Sequence, residues 1–211
     1  MTAVLFDLDG TLLNTLEDLA DAVNASMTHF GCPTRTIDEV RQFVGNGAER
    51  LIRLALPQQT DDRKVFEALD FFREYYAAHS QVKTCPYAGV MEALAEVKRE
   101  FPVAIVSNKP DEAVKILCKQ YFGDVYAIGQ SSQFPRKPAP DMVHQALSVL
   151  GAERCVYVGD SEVDVMTAQN AGVPCLSVLW GFRDRNVLLE AGATRFCEDP
   201  KDLVKKLKEM M

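Results

Sequence analysis

The alternation of short apolar runs with longer amphipathic segments most constrains how this chain can fold. The apolar runs have strand length and are rich in β-branched residues, whereas the segments between them show the spacing of helices that bury one face. Continuous apolar strands that alternate with helices are typical of a parallel sheet covered on both faces. The sequence therefore predicts a Rossmann-like, doubly wound α/β core. The predicted strands are Val4–Phe6, Val103–Ser107, Val125–Gly129, Cys155–Gly159, Cys175–Trp180 and Thr194–Cys197.

One long segment interrupts this alternation. Between Asn14 and Thr84 we find no convincing strand, and the segment is too long to be a single helical crossover. We therefore predict a core formed by residues 1–13 and 85–211, with a four-helix subdomain inserted over residues 14–84. An insertion at the carboxyl end of a strand lies over the edge where α/β sheets bind ligands, so we expect it to act as a lid. The predicted helices of the insertion are Leu16–Phe30, Ile37–Val44, Ala48–Leu56 and Asp62–Ser80.

Two aspartates end the first predicted strand. Asp7 and Asp9 follow the apolar run Ala3–Phe6, and Leu8 between them points to the opposite face while the chain stays extended. The two carboxylates therefore project to one side, next to Gly10, where the backbone can turn. Like charges this close are costly unless a cation or a proton lies between them. The pair predicts a nucleophile, an acid/base group and a divalent metal site.

Polar residues also follow three later apolar runs. Ser107 and Asn108 precede a helix, where a hydroxyl and free backbone N–H groups suit a phosphate. Lys137 lies in a proline-stiffened loop before another helix, where its ammonium is poised for an anion. Asp160 and Asp164 follow the fourth strand and, with the first aspartate, offer the oxygen ligands that Mg²⁺ prefers. Taken singly, each set also fits a helix cap or a solvated turn.

The four sets in this order resemble the haloacid dehalogenase-like hydrolase superfamily, and the resemblance covers nearly the whole chain. The insertion is similar to the helical cap of that superfamily. Gly45-Asn46-Gly47-Ala48, before a predicted helix, and Pro86-Tyr87-Ala88-Gly89-Val90, at the return to the core, resemble its phosphoglycolate phosphatase branch. The resemblance therefore implies an Mg²⁺-dependent phosphatase that hydrolyses a small phosphomonoester, with phosphoglycolate the first expectation, through an aspartyl-phosphate.

The resemblance also implies a role for each motif residue. Asp7 is expected to attack phosphorus, and Asp9 to protonate the leaving group and then deprotonate water. Thr11, counted among the phosphate-binding residues, is expected to orient Asp9. The resemblance implies that the phosphoryl group is bound by Ser107, Asn108 and Lys137. It implies that the metal is coordinated by Asp7, Asp9, Asp160 and Asp164. The residues expected to approach the leaving group are Gly45, Asn46 and Gly47.

Several alternatives stay open. A sugar-phosphate phosphatase, a nucleotidase and a pyrophosphatase are related hydrolases, and a β-phosphoglucomutase-like phosphomutase uses the same scaffold. The phosphomutase branch places a histidine in the cap, where this chain has Leu16-Glu17-Asp18-Leu19. A non-catalytic binding protein on this scaffold is expected to lack one of the four sets, and this chain carries all four.

Charge and cysteine spacing restrict the partners. A formal net charge of −7 argues against a surface that binds nucleic acid or an anionic membrane. No apolar stretch approaches the roughly 20 residues of a membrane span. The six cysteines are scattered without the close pairs of a metal site, which indicates a reducing compartment. We expect a cytoplasmic monomer or homodimer that acts on a small phosphorylated metabolite.

Overall fold

The computed structural model describes every residue from Met1 to Met211, and the chain forms two compact units. One unit joins Met1–Asn14 to Pro86–Met211, and the other is the continuous segment Thr15–Cys85. The sequence predicts the insertion over residues 14–84. None of the helices is long and apolar enough to cross a membrane.

The larger unit is built on a six-stranded parallel sheet. The strands of the chain are β1 (Thr2–Phe6), β2 (Leu13–Asn14), β3 (Cys85–Pro86), β4 (Val103–Pro110), β5 (Tyr126–Gln130), β6 (Arg154–Gly159), β7 (Cys175–Val178) and β8 (Phe196–Cys197). The sheet has the order β5-β4-β1-β6-β7-β8, and all of its pairings are parallel. The short strands β2 and β3 pair with each other. The predicted parallel α/β core is confirmed.

Helices alternate with these strands in the larger unit. They are α5 (Val90–Glu100), α6 (Asp111–Phe122), α7 (Asp141–Leu150), α8 (Glu162–Ala171), α9 (Arg185–Glu190) and α10 (Leu203–Lys208), with a 3₁₀ turn at Pro200–Asp202. The alternation of side chains along β1 divides the core between the two faces of the sheet. Val4 and Phe6 belong to one apolar cluster, whereas Ala3 and Leu5 belong to the other. Burial on both faces explains why the strands read as continuous apolar runs.

The helical unit contains α1 (Leu16–His29), α2 (Ile37–Phe43), α3 (Ala48–Ala55) and α4 (Asp62–His79). Helix α4 packs against α1 and α3. The Ser26 hydroxyl of α1 donates a hydrogen bond to the Ala68 carbonyl of α4 over 2.9 Å. Thr36 starts α2 with a capping box that includes Glu39, which satisfies backbone donors that a helix start leaves without partners.

Asp18 ties the two ends of the helical unit together. Its buried carboxylate lies on α1 and accepts hydrogen bonds from the backbone N–H groups of Lys83 and Thr84 at 3.0 and 2.9 Å. The Thr84 hydroxyl donates to the same carboxylate over 2.8 Å. The start and the end of this segment are therefore held side by side by one side chain.

Candidate active site

The predicted site residues of the core meet at the carboxyl ends of neighbouring strands. Strand β1 lies between β4 and β6, so the residues that follow these three strands come together at one edge of the sheet. A loop between β5 and α7 adds Lys137. The residues brought to this edge are Asp7 and Asp9 after β1, Ser107, Asn108 and Lys109 at the end of β4, and Asp160 and Asp164 after β6.

The ammonium of Lys137 joins three side chains inside the site. It donates to Asp7 Oδ1 over 2.7 Å and to Asp164 Oδ1 over 2.8 Å. A third donor reaches the Tyr157 hydroxyl over 3.1 Å. Burial lowers the pKa of Lys137, but the carboxylates of Asp164 and Asp7 raise it by more, so the lysine stays charged.

Asn108 holds the loop that carries this lysine. The Lys137 backbone N–H donates to Asn108 Oδ1 over 2.6 Å, and Asn108 Nδ2 donates to the Lys137 carbonyl over 3.1 Å. The hydroxyl of the preceding Ser107 accepts a hydrogen bond from the Lys109 N–H over 3.2 Å. The Asn108 side chain therefore positions the lysine loop, and phosphate binding by Ser107 and by the Asn108 N–H stays a prediction.

Asp160 is fixed by contacts from two distant parts of the chain. The Thr11 hydroxyl donates to Asp160 Oδ1 over 2.9 Å, and the Phe182 N–H donates to Oδ2 over 2.8 Å. The printed contact of the Thr11 hydroxyl is therefore with Asp160, and the expectation that Thr11 orients Asp9 stays a prediction. The chain turns at Gly10 with φ +87°, which directs the following hydroxyl to the carboxylate after β6. The Trp180 indole N–H donates to the Thr11 carbonyl over 2.9 Å and so fixes the same turn.

Three buried carboxylates form a candidate metal site. One oxygen from each of Asp7, Asp160 and Asp164 lies within 4.8 Å of the other two. Burial raises the pKa of Asp7 well above its usual value, Asp164 raises it further, and Lys137 opposes the rise. Burial, followed by the charge of Asp164, raises the pKa of Asp160 to about 7, against the hydrogen bond from Phe182. Several carboxylates crowded around one lysine suit a hard divalent cation.

Two glycines make room for the carboxylate of Asp160. A Cβ on Gly10 would overlap the carboxylate oxygens, and a Cβ on Gly181 would overlap the Asp160 side chain and the Gly10 carbonyl. Sequence reasoning notes Gly10 only for its turn and misses Gly181. The only sign of Gly181 in the sequence is a glycine just after an apolar strand. The close contact that requires a glycine there is with Asp160, which is distant in the chain.

Asp164 uses its two oxygens differently. Oδ2 accepts hydrogen bonds from the Ser161 hydroxyl and N–H over 2.6 and 3.1 Å, which makes a capping box at the start of α8. Oδ1 accepts from Lys137. The helix-cap interpretation of Asp164 is therefore correct, and the same carboxylate also belongs to the buried charge cluster.

Asp9 has a cationic neighbour that sequence reasoning does not single out. The ammonium of Lys109 lies 3.1 Å from Asp9 Oδ2, and the lysine side chain is 4% exposed. The site thus contains two buried lysines, with Lys137 beside Asp7 and Lys109 beside Asp9. The signal in the sequence is a lysine two residues after Ser107, within reach of the same strand end.

Comparison with known proteins agrees with this arrangement. A family model described as haloacid dehalogenase-like hydrolase matches residues 4–178, which is most of the chain. The chain belongs to this family. Its match to the haloacid dehalogenase-like hydrolases spans the segments that carry Asp7, Ser107, Lys137 and Asp160.

Named relatives of this hydrolase come from several bacteria. It is 34% identical to phosphoglycolate phosphatase 1 of Pseudomonas aeruginosa over 95% of this chain and 78% of the relative. It is 35% identical to a phosphoglycolate phosphatase of Rhodobacter capsulatus over 86% of this chain and 85% of the relative. A crystal structure from Lactobacillus delbrueckii subsp. bulgaricus, provisionally described as a phosphoglycolate phosphatase, superposes with a TM-score of 0.93 at 33% identity and covers 98% of both chains.

The predicted leaving-group residues of this haloacid dehalogenase-like hydrolase lie in its helical unit. Gly45, Asn46 and Gly47 connect α2 to α3, and Gly47 directly precedes the first turn of α3 with φ +82°. Arg53 on α3 pairs with Glu49 and with an aspartate of the same unit. Contact between Gly45, Asn46 or Gly47 and a substrate stays a prediction.

Proposed function

We propose that this hydrolase is a metal-dependent phosphatase that acts on 2-phosphoglycolate through an aspartyl-phosphate. The observation that carries the proposal is the contact of 2.7 Å between Lys137 and Asp7, beside the buried carboxylates of Asp160 and Asp164. A buried carboxylate held by an ammonium is a directed nucleophile. The names of the relatives from P. aeruginosa and R. capsulatus support the choice of substrate.

In the first step, Asp7 attacks phosphorus with one carboxylate oxygen. The bond from phosphorus to the ester oxygen breaks, and glycolate leaves after its oxygen takes a proton from Asp9. In the second step, Asp9 removes a proton from water, which attacks the aspartyl-phosphate and releases inorganic phosphate. The Asp7 N–H donates to the Val158 carbonyl over 2.8 Å, so the nucleophile is fixed at its backbone as well as at its carboxylate.

Positioning and charge neutralisation supply most of the acceleration in such a transfer. We assign the phosphoryl oxygens to the Ser107 hydroxyl, to the Asn108 N–H and to Lys137. The reciprocal amide contacts between Asn108 and the lysine loop support this assignment, because they keep two of these groups in register. Because the donors are already in place before the substrate binds, the reaction does not incur the free-energy cost of reorienting them.

The carboxylates of Asp7, Asp160 and Asp164 would hold a divalent cation, which we propose to be Mg²⁺, with the Asp9 carbonyl as a further ligand. Bound there, the cation would neutralise charge on the transferring phosphoryl group. All six cysteines are free thiols, which supports the cytoplasm as the proposed compartment. A monomer or homodimer that binds a small phosphorylated metabolite is the proposed working form.

Turnover of a panel of phosphate compounds tests this function. We expect kcat/KM with Mg²⁺ to be highest for 2-phosphoglycolate among that compound, glucose 6-phosphate, AMP and pyrophosphate, and to vanish with EDTA. Asp7→Asn should abolish turnover, and mass spectrometry of a quenched wild-type reaction should find phosphate on Asp7. Asp124→Asn, a change at an exposed aspartate, is the matched control.

Two results would contradict parts of the proposal. A higher kcat/KM for a sugar phosphate, a nucleotide or pyrophosphate would contradict 2-phosphoglycolate as the substrate but not the aspartyl-phosphate mechanism. Absence of turnover on every ester would remove the enzymatic function.

A further inference from the structure

Lys109 is a buried cation on the leaving-group side of the site. It lies in the last residues of β4, and its ammonium is 3.1 Å from Asp9 Oδ2. Under the proposed function, Asp9 contacts the ester oxygen of the departing alcohol, whereas Lys137 contacts Asp7 on the phosphoryl side. The two lysines therefore lie beside the carboxylates that act on opposite sides of the bond between phosphorus and the ester oxygen.

The backbone that carries Lys109 is held firmly. Its N–H donates to the Ser107 hydroxyl over 3.2 Å. Its carbonyl packs so closely on β5 that a Cβ on Gly129 would lie 2.6 Å from the carbonyl oxygen. The Gly129 N–H donates in turn to Asp111 Oδ1 over 2.9 Å, just beyond the end of β4. A lysine whose backbone is fixed on both sides loses less entropy when it binds a ligand.

Asp9 is the carboxylate beside Lys109, and three further aspartates lie at the same edge of the sheet. Asp7, Asp9, Asp160 and Asp164 all end strands or start a helix at this edge of the sheet. An alcohol with its own carboxylate would meet repulsion here unless a cation received it. In 2-phosphoglycolate a single methylene separates the carboxylate from the ester oxygen, so an ammonium beside Asp9 is within reach of that carboxylate.

We propose that Lys109 is a specificity-determining residue that binds an anionic group on the leaving alcohol. This inference rests on the proposed function, because it uses Asp9 as the residue that contacts the leaving oxygen. A buried ammonium needs a carboxylate partner, and the carboxylate of the substrate joins Asp9 in that role. Lys109 thereby distinguishes esters of hydroxy acids from esters of neutral alcohols.

A pair of substrates that differ only in this charge tests the proposal. 2-Phosphoglycolate carries a carboxylate where 2-hydroxyethyl phosphate carries a neutral hydroxymethyl group. In Lys109→Met, which keeps the length of the side chain, we expect kcat/KM for 2-phosphoglycolate to fall about 10- to 100-fold, mainly through KM. The value for 2-hydroxyethyl phosphate should change less than about threefold. Lys109→Arg should restore most of the preference, and Lys119→Met, at an exposed lysine of α6, should leave both values unchanged.

Equal losses on the two esters would overturn the proposal, because Lys109 would then act only by compensating the charge of Asp9. A binding measurement separates this failure from failure of the proposed function. In the Asp7→Asn background, which cannot form the aspartyl-phosphate, calorimetry gives the Kd of each ester with and without the additional substitution Lys109→Met. If the wild-type protein hydrolyses no ester, the proposed function fails. If Lys109→Met leaves the Kd for 2-phosphoglycolate unchanged, the proposed role of Lys109 fails.

Discussion

The hydroxyl of Tyr157 accepts the third hydrogen bond of the Lys137 ammonium over 3.1 Å. An ammonium has three N–H donors, and the other two reach Asp7 and Asp164. Tyr157 is fully buried, and burial raises the pKa of its hydroxyl well above the usual value, so the phenol stays neutral. This hydroxyl also lies 3.2 Å from the Val106 carbonyl, to which it donates. Tyr157 is therefore a positioning residue for the lysine.

Tyr157→Phe should lower kcat about 3- to 10-fold for every phosphate ester, because the lysine loses one of the contacts that fix its direction. KM should change little, since the phenol hydroxyl contacts no substrate in the proposed mechanism. Steady-state kinetics of this variant and of Tyr126→Phe, a partly buried tyrosine on β5, measure the effect. A rise in KM with unchanged kcat would contradict the positioning role.

Asp9→Asn should slow the hydrolysis of 2-phosphoglycolate by about 10²- to 10⁴-fold, because the leaving alkoxide needs a proton. The loss should be much smaller for formation of the aspartyl-phosphate from p-nitrophenyl phosphate, since its phenolate leaves without protonation. Rapid-quench measurement of both reactions gives the comparison, with Asp124→Asn as control. Equal losses on the two esters would exclude Asp9 as the acid that serves the leaving group.

The raised pKa of Asp160 makes the stability of the metal-free protein depend on pH. Burial raises this pKa from 3.8 to about 7, so the folded state binds the proton more tightly than the unfolded state. The free energy of unfolding should therefore fall as the pH rises from about 4 to about 7. In EDTA we expect a lower Tm at pH 8 than at pH 5.

Mg²⁺ should raise this Tm more at pH 8 than at pH 5, because the cation binds the ionised carboxylates. Asp160→Asn should raise the Tm of the metal-free protein at pH 8 and remove most of the response to Mg²⁺. Thermal unfolding of both proteins at the two pH values tests this. An identical response to Mg²⁺ in the variant would exclude Asp160 as a metal ligand.

Asp18→Ala should destabilise the helical unit. The substitution leaves the partly buried N–H of Lys83 and the buried N–H and hydroxyl of Thr84 without their acceptor, at a cost of about 3 kcal/mol. Hydrogen exchange at these two amides should accelerate in the full-length chain. Asp38→Ala, which removes an exposed carboxylate from α2 of the same unit, is the control. If amide hydrogen exchange at Lys83 and Thr84 were unchanged, the hydrogen bonds to Asp18 would not hold the two ends of the helical unit together.

Local sequence patterns predict the sheet and the chemistry-bearing strand ends, because apolar runs and the polar residues that follow them are neighbours in the chain. Contacts between distant residues are not visible in this way. Thr11 and Asp160 are 149 residues apart, and no local pattern indicates that they form a hydrogen bond. Lys109, Tyr157 and Gly181 owe their roles to similar long-range contacts. The strands β2 and β3 are missed because two residues cannot express an alternating pattern.

The pairing of β2 with β3 and the three hydrogen bonds to Asp18 bring the entry and exit of the helical unit side by side. A segment whose ends meet can be exchanged for another of different length without altering the register of the core strands. Recombination at these two points can therefore exchange the helical unit while the strand-end aspartates and lysines are inherited intact. The fold separates the part of the gene that can diversify from the part that must stay constant.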